Sequence, residues 1–408
     1  MSVIVDKNCM KMKIRDVENA FRYRRIPYPK RSVELIALIA ISCTFFLFMH
    51  TKNLNTRLRE MEVKLQPSEF SALGLTGEHH ISGGGDGSRS GNDINTLHGT
   101  YQYLKSTGQM QSLNVKDLNN TRKAQLDLVF FNRVPKVGSQ TFMELMRRLS
   151  ERNNFQFHRD AVQKVETIRL ADDQQQELAE VISDLPEPSV FIKHVCYTNF
   201  TKFSLPTPIY INVVRDPVER VISWFYYVRA PWYFVERKAA FPDLPLPHPS
   251  WLKKDFESCV LSGDQECTYT QGVTVEGIGD HRRQSLFFCG HDYECTPFNT
   301  VGALERAKYA VESQYSVVGV LEDMNTTLSV FEKYIPRFFQ GVRDIYESSA
   351  EYLTKINKNN FKPPVSEKVK DIVRKNFTNE IEFYQFCRQR LHKQYLAAHL
   401  PQKIIGTP

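Results

Sequence analysis

The run Phe130-Phe131-Asn132-Arg133-Val134-Pro135-Lys136-Val137-Gly138-Ser139-Gln140-Thr141 constrains the fold most, because an apolar strand ends there in a Lys-Gly-Ser loop that leads into a helical pattern. Backbone N–H groups at a helix start carry a partial positive charge and point at whatever lies beyond it. A loop of this kind suits a phosphate-like anion, with Lys136 in reach of its oxygens. It is not the loop of nucleoside triphosphatases, which needs Gly, four residues and then Gly-Lys-Ser/Thr; here the Lys precedes the Gly. ATP hydrolysis is therefore disfavoured. A plain strand-to-helix turn is the alternative, and the rest of the chain has to decide.

Four runs read as buried strands, Leu126–Phe131, Val190–Val195, Pro208–Val214 and Ser316–Val320, each rich in branched or aromatic residues. Three of them lead into a helical pattern, spelled out most clearly after the first and the third. Phe142, Leu145, Met146 and Leu149 come after the first, and Val218, Val221, Ile222 and Phe225 after the third. Alternating strands and helices predict an α/β fold with a parallel sheet covered by helices. Ligands in such sheets bind beyond the carboxyl ends of the strands, which puts Lys136, His194 and Arg215 on one edge.

Asp216-Pro217 reads as a helix start, with the Asp as cap and the Pro in the first turn. Arg215, with Ser223 two turns further on, offers a guanidinium fork and a hydroxyl to a second phosphate. His194 is either a satisfied structural residue or a base, since an unperturbed imidazole pKa of about 6.5 lets the neutral ring take a proton from a hydroxyl.

The first hundred of the 408 residues do not read as globular. Residues 1–32 carry nine Lys/Arg against three Asp/Glu and read as a basic cytosolic tail. The span 33–50 is apolar apart from Glu34, Ser42 and Thr44 up to its closing His50, and reads as a transmembrane signal anchor with Lys30 and Arg31 on its cytosolic side. A cleaved signal peptide is the rival, opposed by the long basic tail and the absence of a small-residue cleavage site. Leu54, Leu58, Met61 and Leu65 fit a short amphipathic stem, and the Gly/Ser-rich stretch around Ser82–Ser88 a flexible linker, so that 51–100 joins the anchor to a lumenal domain at 101–408. The tail accounts for +6 of the formal +7, so the bulk charge is no evidence for a polyanion-binding domain, and nucleic acid is not indicated.

Of eight Cys, Cys259/Cys267 and Cys289/Cys295 form two closely spaced pairs, and two local disulfides are the simplest reading for a lumenal domain. A zinc site is the alternative, although spacings of eight and six match no common ligand pattern. Glycosylation sequons fall at Asn119, Asn199, Asn325 and Asn376.

Taken in order, Arg133–Ser139, His194-Val195 with Asn199-Phe200, Pro208–Arg220, Phe288-Cys289-Gly290-His291 and Gly319-Val320-Leu321-Glu322 resemble the Golgi hexuronic acid 2-O-sulfotransferases, over about residues 125–392. The resemblance implies a P-loop-like sulfotransferase fold, a type II Golgi membrane protein and the donor 3'-phosphoadenosine 5'-phosphosulfate, with no metal. It implies that Lys136, Val137, Gly138, Ser139, Gln140 and Thr141 hold the 5'-phosphosulfate, Arg215 and Ser223 hold the 3'-phosphate, and His194 is the base. It further implies donor contacts from Tyr346 and from a closing loop at Lys355 and Lys358, and self-association as a trimer.

Two departures bear on the acceptor. The heparan sulfate member of the family has a second histidine where this chain has Ile192. The basic run after the donor-binding helix is replaced by Ala230-Pro231-Trp232-Tyr233-Phe234 and the Pro-rich Phe241–Pro249, while Arg237-Lys238 and Lys253-Lys254 remain. Heparan sulfate is thereby disfavoured. A less charged lumenal glycan, on a glycoprotein or a chondroitin/dermatan chain, fits the aromatic segment better. The leading reading is transfer to a uronic acid 2-hydroxyl or an equivalent hydroxyl. The alternative is a glycan- or nucleotide-binding protein without catalysis; a kinase is disfavoured by the missing Gly-rich kinase loop.

Overall fold

A computed structural model describes residues 94–161, 163, 167–274, 282–357 and 362–400, all within the unit Leu73–Pro408. The tail, the span 33–50, residues 51–93 and Lys358 lie outside the described residues. Among the described residues no helix is long and apolar enough to cross a membrane.

Five strands form one sheet: β1 (Leu128–Asn132), β2 (Gln156–Arg159), β3 (Ser189–Lys193), β4 (Ile209–Val214) and β5 (Tyr315–Val320). They run parallel in the order β2-β3-β1-β4-β5. The residues of β1, β3, β4 and β5 are buried throughout, as continuous apolar runs in a doubly covered sheet must be. β2 was not expected. It is a polar edge strand, half exposed, whose Gln-Phe-His-Arg sequence carries no apolar run.

Helices of eight residues or more, among the described residues, are α1 (Leu97–Ser106), α2 (Ser139–Asn153), α3 (Asp172–Ser183), α4 (Pro217–Tyr227), α5 (Pro231–Ala240), α6 (Val301–Ser313), α7 (Met324–Tyr334), α8 (Ala350–Asn357), α9 (Glu367–Asn376) and α10 (Thr378–His399). α2 buries Phe142, Leu145, Met146 and Leu149 in the main core, the face its spacing predicts. α4 starts as predicted: the Asp216 carboxylate accepts the N–H groups of Val218 and Glu219 at 3.0 and 2.9 Å, and Pro217 opens the first turn.

The apolar stripe of α4 is not spent on the main core. Val218, Val221, Ile222 and Phe225 build a second core with Phe256, Val369, Val373 and Phe377. The Cys259–Cys267 disulfide, Cα atoms 5.7 Å apart, closes that second core, and Cys289–Cys295 joins at the same Cα separation. Cys196 and Cys387 are fully buried.

The chain leaves β1 toward β2 and leaves β4 toward β5. Their connections therefore diverge at the β1/β4 border and open a crevice beyond the strand ends.

Candidate active site

That crevice is a cleft of about 890 Å³, lined by Lys136, Gly138, Ser139, Gln140, His194, Arg215 and Ser223 among others. Residues from the ends of three strands thus meet at one place. Arg215 Nη1 donates to the Lys136 carbonyl oxygen at 3.2 Å, which ties the loop after β4 to the loop after β1.

The anion loop is shaped by its glycine. Gly138 caps α2 with φ +77°, and a Cβ there would lie 2.5 Å from Leu321 Cδ1, so a side chain is excluded by conformation and by space. Lys136 itself has φ +66°. Val137 faces the core with its side chain buried, while Ser139 and Gln140 present first-turn amides, which find no partner within a helix. The Thr141 N–H is already bonded to Gly138 O at 3.0 Å, so any contact of Thr141 with an anion falls to its hydroxyl.

His194 lies just past β3. Its Nδ1 is 2.8 Å from the Arg133 carbonyl oxygen. A carbonyl only accepts, so Nδ1–H donates and the neutral ring keeps its lone pair on Nε2. The backbone beside the anion loop thereby selects the tautomer that a base requires.

Polar residues invisible to periodicity hold these parts in place. Asn132 at the end of β1 and Asn212 within β4 are fully buried. Asn212 Nδ2 donates to Asn132 O at 2.7 Å, and Asn132 Oδ1 accepts from Tyr315 Oη–H at 2.9 Å. The corner at Arg215 is clamped from two sides. Gln284 donates to Arg215 O at 2.9 Å and accepts Arg215 N–H at 3.2 Å; Glu322 accepts Asp216 N–H at 3.0 Å and Tyr384 Oη–H at 3.1 Å. Gln284 is itself fixed by the buried Glu380, which accepts the Gln284 and Ser285 N–H groups at 3.0 and 3.2 Å.

The same contacts give the Gly-Val-Leu-Glu motif at 319–322 a physical meaning. A Cβ at Gly319 would meet Thr327 Cγ2 at 2.5 Å, Leu321 fills the space over Gly138, and Glu322 caps the Arg215 corner.

Electrostatics separate the groups. Burial, with Arg215 and Lys362 as neighbouring cations, lowers the Lys136 ammonium to about 8. Burial alone would raise Glu219, but Lys362 and Lys370 at 2.8 and 2.9 Å hold it at about 2.

Two expected donor contacts are not in the cleft. Tyr346 packs against the main core, and Lys355 is an exposed residue of α8, paired with Glu351 at 2.6 Å, instead of part of a loop. Tyr352 and Ile356, four residues apart on another face of α8, line the cleft in their place. Of the sequons, Asn199, Asn325 and Asn376 are exposed, whereas Asn119 is half-buried with its amide donating to Tyr334 O at 3.4 Å.

His291 lies away from the cleft and is a structural residue. Its Nδ1 accepts Leu170 N–H at 2.9 Å and its Nε2 lies 3.0 Å from Thr198 Oγ1. Burial first, then Arg169, lowers its pKa to about 4. Between pH 6.5 and 4 the unfolded chain therefore binds more protons. The stability contribution is complete above pH 6.5 and is lost as pH falls, by up to about 3 kcal/mol. Urea unfolding of wild type against His291→Gln checks this: the wild-type advantage is expected to shrink by about that amount between pH 7 and pH 4.

An anion loop, a base of defined tautomer and an arginine–serine pair around one cleft describe a group-transfer site, and the chain belongs to the sulfotransferase family, whose profile matches residues 121–387. Its relatives are more particular. The chain is 46% identical over 482 aligned residues to the Drosophila melanogaster uronyl 2-sulfotransferase homolog pip, covering 95% of this chain and 93% of that one. It is 29% identical to Mus musculus uronyl 2-sulfotransferase, over 69% of this chain and 66% of the other. It is 30% identical to Xenopus laevis heparan sulfate 2-O-sulfotransferase 1, over 68% and 74%.

Proposed function

We propose that this chain transfers a sulfuryl group from 3'-phosphoadenosine 5'-phosphosulfate to a hydroxyl of a lumenal glycan, the 2-hydroxyl of a uronic acid or its equivalent, as a Golgi enzyme anchored by residues 33–50. The observation that carries the reading is the convergence of Lys136, His194, Arg215 and Ser223 on one cleft at the β1/β4 divergence. The residues fit such a donor. The loop turns at a glycine with positive φ and presents first-turn amides, with a lysine beside it, and an arginine and a buried serine further along the same cleft.

Bound there, the donor supplies the sulfuryl group, whose bond to the acceptor oxygen forms as its bond to the phosphate oxygen breaks. His194 Nε2 takes the acceptor proton, with Nδ1–H held by the Arg133 carbonyl. Lys136 offers its ammonium to the phosphate oxygen where charge develops, and the amides of Ser139 and Gln140 hold that phosphate. Arg215 and Ser223 take the 3'-phosphate.

The acceptor side of the cleft favours a weakly charged glycan. α5 turns Trp232, Tyr233, Glu236, Arg237 and Ala240 to it, a stripe of aromatic surface with one acid and one base. Across from it, Lys193 is paired with Asp160, and Arg147 with Glu144 at 2.9 Å. These pairs neutralise two of the cleft's cations while Arg133 and Arg159 keep a modest positive charge on its lining, which suits a glycan of modest negative charge, and rings suit the C–H faces of sugars.

Transfer of labelled sulfate by the full chain to a panel of desulfated and sulfated glycans tests the reading. Because the ammonium form of Lys136 is required and its pKa is about 8, the rate is expected to decline above about pH 8. A rate still rising through about pH 9.5 contradicts the role of Lys136, and nucleotide binding without any transfer favours a binding protein.

A further inference from the structure

The ammonium that this reading assigns to the leaving group rests on an aromatic ring. Lys136 Nζ lies 3.8 Å from the centroid of Tyr227, the last residue of α4. Tyr227 is half-buried and borders the same cleft. The other charges around Lys136 are Arg215, from the end of β4, and Lys362, from the segment before α9. Both are cations. Glu219 lies 2.8 Å from Lys362, 2.9 Å from Lys370 and 3.9 Å from Arg215, so its charge is engaged by those three. A ring face attracts an ammonium, and more strongly when both are out of water.

The same ring carries a second load. It stacks on Trp224 at 5.7 Å and meets Trp232 at 5.2 Å and Tyr233 at 5.1 Å. No residue of α5 is buried, so Trp232 and Tyr233 hold this helix to the body partly through Tyr227.

We propose that Tyr227 is the positioning residue for Lys136, its ring face holding the ammonium beside the anion loop while its edges support α5, so that the leaving-group cation and the acceptor wall share one support. The proposal rests on the role given to Lys136 above, and its test separates the two. The hydroxyl has no part in it; the ring does.

The experiment compares full-length wild type, Tyr227→Leu and Tyr227→Phe. The pH dependence of Lys136 acetylation by trace acetic anhydride, read by peptide mass spectrometry, gives the ammonium pKa without reference to activity. In Tyr227→Leu the midpoint is expected to fall by about one unit, because the ring favours the charged form. Tyr227→Phe is expected to keep the wild-type midpoint. The alkaline limb of kcat should move down by the same unit in Tyr227→Leu, giving roughly a fivefold loss at pH 8, with a several-fold rise in acceptor KM as α5 loosens. Tyr227→Phe should restore both.

An unchanged midpoint in Tyr227→Leu overturns the proposal. So does a midpoint in Tyr227→Phe displaced by about a unit, which would assign the effect to the hydroxyl, and that arm stands even if the leucine variant fails to fold. A shifted midpoint with an unshifted rate profile supports the ring's hold on Lys136 and refutes the leaving-group role instead.

Discussion

His194→Ala is expected to lower sulfate transfer by roughly 10²–10⁴-fold, the range over which a positioned general base contributes, while the melting temperature and nucleotide binding stay close to wild type. The size follows from placement. His194 lines the cleft, so removing the ring opens no cavity in either core. Its bond to the Arg133 carbonyl fixes the tautomer and contributes modestly to stability. Without the ring, the acceptor proton loses the imidazole that takes it near neutral pH. Initial-rate assays with labelled donor, alongside calorimetry with the desulfated nucleotide, check both halves of the expectation. A variant that turns over near the wild-type rate would refute the base.

Lys136→Ala is expected to cost roughly 10²–10³-fold in kcat, the scale for one preorganised electrostatic contact to developing charge. Binding of the desulfated nucleotide should weaken less, because the loop amides, Arg215 and Ser223 remain. Stability should rise slightly if anything, since the lysine sits in a cluster with Arg215 and Lys362. The two losses should not add: His194 and Lys136 act at opposite ends of one displacement, so the double variant is expected to fall little below the worse single variant. Single-turnover kinetics separate the chemical step from binding and release.

The parts of this site that could be read from the sequence are those built by local pattern. The apolar run before Lys136, the helical spacing after Ser139 and the Asp-Pro helix start each need only neighbouring residues, and the fold realises all three. Once a parallel sheet is inferred, the strand-end rule brings Lys136, His194 and Arg215 together without further information.

What stayed hidden depends on distance along the chain or on helix phase. Gln284 clamps Arg215 from 69 residues away and Glu322 clamps Asp216 from 106. No periodicity encodes such pairings. β2 escaped because an edge strand needs no apolar run, and the second core escaped because α4 shows the same stripe whether it packs on a sheet or on α9. On α8 a loop was expected where a helix stands: Lys355 and Ile356 are adjacent in sequence, but about 100° of helical rotation separates the exposed Lys355 from Ile356 on the cleft.

One binding event underlies the mechanism, and a crystal structure of the full chain with 3'-phosphoadenosine 5'-phosphate tests it directly. The expected result is a nucleotide in the β1/β4 cleft, its 5'-phosphate on the Ser139 and Gln140 amides beside Lys136 and its 3'-phosphate on Arg215 and Ser223. A nucleotide seated elsewhere, with Lys136 and Arg215 away from both phosphates, would contradict it.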